Sequence, residues 1–100
     1  MAHRSRIEII FNQSIEEDLF DRLKIHDAAA RFTKIAPAYG RGSSGERRGD
    51  HIWPEENVML LVYCDDGERE RVIRAVKDIK SVFPNEGIKL FATAVDVFEL

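Results

Sequence analysis

The chain has little that would lock it covalently or hold it in a bilayer. Cys64 is its only cysteine among 100 residues, which excludes a disulfide within the chain and fits a reducing compartment. No apolar run approaches the roughly 20 residues that span a membrane. "MAHRSRIEII" lacks an apolar stretch long enough for export, so a cytoplasmic protein is expected. His3, His26, His51 and Cys64 lie far apart and form no metal-spacing motif. There is no nucleophile elbow, no Cys–His pair at a recognisable spacing and no motif that places paired carboxylates, so no enzyme is expected. A net charge of −3 argues against a general nucleic-acid binder.

What is present is regular. Hydrophobic residues make up 44% of the chain and charged residues 33%, the balance of one globular domain over residues 1–100. "RIEIIF" (Arg6 to Phe11) is a β-branched run and predicts a strand. In "NQSIEEDLFDRLK", Ser14 and Glu17 make an S-x-x-E capping box, and Ile15, Leu19 and Leu23, flanked by Phe20, form one apolar helical face. "ARFTKIA" predicts a second strand, ended by Pro37, which cannot donate to a ladder. "NVMLLVYC" (Asn57 to Cys64) is a third strand. "DDGERERVIRAVKDIKSVF" is a second helix, with Asp65 three residues before Glu68 as an acidic cap and Val72, Val76, Ile79 and Phe83 at helical spacing. "PNEG" stops that helix, and "IKLFATAVDVFEL" is a fourth strand.

The order β-α-β-β-α-β predicts a ferredoxin-like α+β fold, an antiparallel sheet with two helices on one face. Acylphosphatases and RNA-recognition domains share that order, but the phosphate-loop signature of the first and the aromatic-basic strand motif of the second are absent. Val58 to Tyr63 is apolar at every position. The last strand has Phe91, Val95 and Val97 on one side and Leu90, Ala92 and Ala94 on the other. Two helices cover only one face, and a wet second face normally shows clean alternation. The second face is therefore expected to be covered by another copy of the chain.

Between the second and third strands lies "AYGRGSSGERRGDHIW", which holds four of the six glycines. From Arg31 to Trp53 the chain carries Arg31, Lys34, Arg41, Arg47 and Arg48 against only Glu46 and Asp50, a net +3, and the remainder carries −6. A connection of this length is usually functional or disordered. Gly40, Gly42 and Gly45 allow backbone N–H groups to converge on an anion, and Arg41, Arg47 and Arg48 offer bidentate forks. It is not a P-loop, since no G-K-[ST] follows and a strand comes next. Trp53 before Pro54 reads as an apolar anchor or as an indole for stacking. His51 and Asp50 are the metal ligands of an alternative reading. Cys64 reads as a small buried apolar residue.

"RFTKIAPAYGRGSSGERRGDHIW" after the second strand resembles the PII signalling proteins and their PII-like relatives, in which the stretch matching Thr33 to Gly42 leads into a long flexible T-loop, here at about 40–53. "NEGIKLFATAVDVFEL" resembles their B-loop and last strand. The resemblance implies a homotrimer with ligand clefts between subunits, a small anionic effector such as an adenine nucleotide, and control of a protein partner, a transporter or an enzyme, through the loop. It carries ligand contacts to Thr33, Gly40, Arg41, Gly42, Gly87 and Lys89, and partner contacts to Arg47, Arg48 and Trp53. Gly87 is the lone glycine of the B-loop stretch, no basic residue follows the last strand, and Tyr39 sits at the loop base, so tyrosine modification is not implied. The alternative is a CutA-like, metal-tolerance trimer using His51 and Asp50.

Overall fold

Alternation in the first strand decides where the core lies. In β1 (Ala2–Asn12), Ile7, Ile9 and Phe11 are fully buried, while Arg6, Glu8 and Ile10 between them are only half-buried. The computed structural model describes residues 2–42, 45–47 and 56–100. β1 pairs antiparallel with β5 (Asn57–Cys64) on one side and with β6 (Lys89–Val97) on the other, and β2 (Thr33–Ala38) joins β5, giving the order β2-β5-β1-β6. Directly opposed residues share a face. Ile7 therefore lines up with Val62 and Ala92, and Ile9 with Leu60 and Leu90.

Two helices cover that side. α1 (Glu16–Ile25) contributes Leu19 and Leu23, with Ile15 just ahead of it; α2 (Asp66–Val82) contributes Val72, Ala75, Val76 and Ile79. Each large side chain fully buried here contributes about 1.5–3 kcal/mol. The layer architecture is the expected ferredoxin-like α+β fold.

Local chemistry sets the helix ends. Asp65 caps α2 as expected, its Oδ1 accepting the Glu68 N–H at 2.8 Å. α1 differs from expectation. The strand continues to Asn12 and a single 3₁₀ turn (Gln13–Ile15) follows, so Asn12 Oδ1 accepts the Ser14 N–H at 2.8 Å, and Ile15 at the helix start makes no side-chain cap. The cap is Asn12, not Ser14, because the tighter turn places that orphan N–H over the Asn12 amide. At its other end α1 closes with the Ala28 N–H on the Leu23 carbonyl and the Asp27 N–H on the Lys24 carbonyl, with Asp27 at φ 53°. That is the Schellman pattern, with aspartate where glycine is usual.

Several strand boundaries also move, and the last strand is shorter than expected, β6 spanning Lys89–Val97 rather than Ile88–Leu100. β1 begins at Ala2 rather than Arg6, because Ala2 to Arg6 pair with Val97 to Thr93. β2 begins at Thr33 rather than Ala30 and runs through Pro37 to Ala38 with a cis Ala36–Pro37 bond. Proline is tolerated there because β2 is an edge strand whose register shifts between Ile35 and Ala38. The stretch read as a loop holds a small ladder of its own, β3 (Gly40–Gly42) against β4 (Gly45–Arg47).

Candidate effector-binding site

The glycine-arginine segment leaves the sheet where β2 ends, with Ala38 opposite Asn57. Tyr39 is exposed, and its hydroxyl lies 3.5 Å from Glu56 Oε1. Glu56 also accepts the Gln13 N–H on its backbone carbonyl at 2.7 Å, which ties the start of β5 to the end of β1. The chain then enters the β3–β4 ladder, in which Gly40 faces Arg47, Arg41 faces Glu46 and Gly42 faces Gly45. A Cβ built on Gly40 would meet nothing within 4 Å, so the backbone there lies open rather than packed. Arg41 is exposed.

The other expected ligand residues stand elsewhere. Lys89 opens β6 opposite Ile10, with Gly87 in the turn just before it. This is the same end of the sheet as Ala38, but the opposite edge, three strand spacings or about 14 Å away. Thr33 lies opposite Leu61 at the far end of β2, about 16 Å of extended chain from Ala38. Within one chain, then, Gly40, Arg41, Gly42 and the backbone of Arg47 are neighbours, whereas Thr33 and the Gly87–Lys89 pair are not brought to them. Arg48, Asp50, His51 and Trp53 lie outside the described residues. Among the described residues no group of three His, Cys, Asp or Glu side chains could hold a metal ion. No described helix is long and apolar enough to cross a membrane.

Several features have no signal in a linear reading. His26 Nε2 meets Asp78 Oδ2 at 2.7 Å, joining the end of α1 to α2. Glu68 Oε2 accepts the Ala29 N–H at 2.8 Å, holding a residue at φ 55°. A cleft of about 260 Å³, lined by Arg4, Arg31, Tyr63, Cys64, Asp65 and Glu68, opens at the end of the sheet opposite the glycine segment. Burial, then the Glu68 and Asp65 carboxylates, push the Cys64 thiol up from its ordinary value, so it is a poor nucleophile, as its strand-end position suggested. On the uncovered face of the sheet, Arg6 and Glu8 sit side by side, their charged atoms 3.8 Å apart.

No protein-family model matches the chain. No curated protein sequence is significantly similar to it. Solved structures are. The structure of CPII, a nitrogen regulatory PII-like protein from Thiomonas intermedia K12, bound to ADP, AMP and bicarbonate, superposes with a TM-score of 0.77 at 16% identity, covering 96% of this chain and 89% of that one. The chain has the PII-like fold. CPII without ligand gives a TM-score of 0.67 at 14% identity over 96% of this chain and 92% of that one. A structure described as a PII-like signalling protein from Thermus thermophilus gives 0.63 at 19% identity over 94% and 87%. In terms of the PII-like fold, the β3–β4 segment is the connection expected as the T-loop, and the turn holding Gly87 is the one expected as the B-loop.

Proposed function

We propose that this chain is a non-enzymatic, trimeric PII-like regulator of the cytoplasm. It binds a small anionic effector, an adenine nucleotide or bicarbonate, in clefts between subunits and controls a protein partner through the loop after β2. The observation that carries this reading is the likeness, over 96% of the chain, to CPII bound to ADP, AMP and bicarbonate. The placement of residues supports it. Gly40–Gly42 and Gly87–Lys89 lie at one end of the sheet but on opposite edges, so an effector seated between subunits would meet the open Gly40 backbone and Arg41 of one copy, with Lys89 supplied by a neighbouring copy. Thr33, at the far end of β2, would be supplied by the neighbour. Effector binding orders the loop, and the ordered loop fits or misses its target.

Hydrogen bonds to charged groups are worth roughly 1.5–3 kcal/mol. Arg41→Ala should therefore weaken effector binding about tenfold or more, with the unfolding midpoint almost unchanged. Isothermal titration of the parent and the variant with ADP, AMP and bicarbonate reads this out. Equal affinities would remove the loop base from the site. A parent that binds divalent metals and none of these anions would replace the reading with the metal-tolerance alternative.

A further inference from the structure

We infer that Arg6 and Glu8 form ion pairs with Glu8 and Arg6 of neighbouring copies and so determine how the subunits meet. The inference rests on the trimeric reading above. Both residues point away from the helices, at the centre of the uncovered face. Arg6 stands between Tyr63 and Thr93, and Glu8 between Leu61 and Phe91. Tyr63 is 54% and Phe91 56% exposed, so the charges sit in an apolar surround that no part of the described chain covers.

Within the chain the two charges are poorly matched. Arg6 Nη2 and Glu8 Oε2 are 3.8 Å apart, well beyond the roughly 2.7–2.9 Å of a charge-assisted hydrogen bond. The Arg6 Nε is buried with no hydrogen-bond partner among the described residues. Covering this face with a purely apolar partner would desolvate both charges and leave them only their loose 3.8 Å contact with each other, a heavy penalty. A strongly acidic partner would satisfy Arg6 and repel Glu8, and a basic one the reverse. The face requires a surface that offers one cation and one anion two strand residues apart, about 6–7 Å, within apolar surroundings. A second copy of this face offers that. The remaining described charges on it, Arg4 and Lys89, lie towards its two ends.

The test is complementary mixing. Arg6→Glu places two acids in each face, and Glu8→Arg places two bases. Each variant alone should shift its assembly midpoint, measured by sedimentation and native mass spectrometry, at least about tenfold towards monomer. Mixing the two proteins should recover, in part, trimers that contain both masses, in which two of the three contacts join opposite charges and one joins like charges. The milder Arg6→Gln and Glu8→Gln should weaken assembly with less recovery on mixing than the charge-reversal pair, since a mixed trimer regains only one of its three contacts, and circular dichroism at high dilution checks that every variant is folded. Variants that assemble like a trimeric parent, or charge variants whose mixture stays apart, would overturn the pairing and leave the trimer standing. A parent that is monomeric at every concentration would overturn the trimer as well.

Discussion

Along β5 the two faces of the sheet are built from the same kinds of residue and meet different fates. β5 reads Val58-Met59-Leu60-Leu61-Val62-Tyr63, with no charged side chain, yet Val58, Leu60 and Val62 are buried while Met59 and Leu61 are half-buried and Tyr63 is exposed. β1 shows the contrast more sharply, with Ile7, Ile9 and Phe11 on the helix side and Arg6, Glu8 and Ile10 on the other. Apolarity and burial are therefore separate quantities here. The helices account for one face; the other keeps apolar side chains around a charged centre that the single chain does not use.

Adjacent leucines give the most forceful way to break this comparison. Leu60→Ala empties a fully buried position on a central strand and should cost about 3 kcal/mol in urea unfolding. Leu61→Ala, one residue along on the open face, should cost the folded monomer less than about 1 kcal/mol at high dilution while weakening self-association. Equal costs at high dilution would mean that the faces do not divide the labour. A smaller effect tests what holds the covering helices. Asp65→Ala removes the α2 cap and should destabilise by about 1 kcal/mol, with no change in association midpoint.

The smallest effect concerns Cys64, on the covered face at the end of β5. Its thiol is held above its ordinary value, chiefly by burial. The folded chain thus keeps the neutral thiol in a range where the unfolded chain ionises. The stability this contributes is complete below about pH 8.5, the ordinary thiol value, and declines as pH rises through it towards the folded value. Urea unfolding followed from pH 7.5 to 9.5 (roughly one unit either side of that value) should show a shallower decline in Cys64→Ala than in the parent. Folded Cys64 should also react with a thiol reagent at least about tenfold more slowly than the unfolded chain. An equal rate would place it outside the core.

The parts legible in the sequence were those written by period and by local hydrogen bonding. Val72, Val76 and Ile79 announced a helix face, Asp65 its cap, and the unbroken β5 run a strand whose second side was still apolar. The boundaries that moved depend on partners far along the chain. Ala2 to Ser5 become strand only because Val97 to Ala94 lie beside them, and Pro37 is admitted because β2 is an edge. The candidate site was legible as residue types and not as a place. Glycines and Arg41 pointed to anion chemistry, but only the strand order shows that Lys89 lies across the sheet from them. The half-met Arg6–Glu8 pair was invisible, since a charged pair within a strand reads as an ordinary solvated face.

The strand order also has a consequence for how the chain comes together. β1 lies between β5 and β6, and its pairing with β6 joins Ala2–Ile10 to Lys89–Val97. During synthesis the α1, β2, β5 and α2 segments emerge before the strand that closes the outer side of β1. Until then β1 presents a row of unsatisfied N–H and C=O groups along a β-branched run, the kind of edge that captures strands of other chains. Contacts so distant in sequence slow the closing step, because a long loop must be ordered before they form. The interval between collapse of the helix-covered layer and arrival of β6 is therefore the stage at which this chain is most exposed to aggregation.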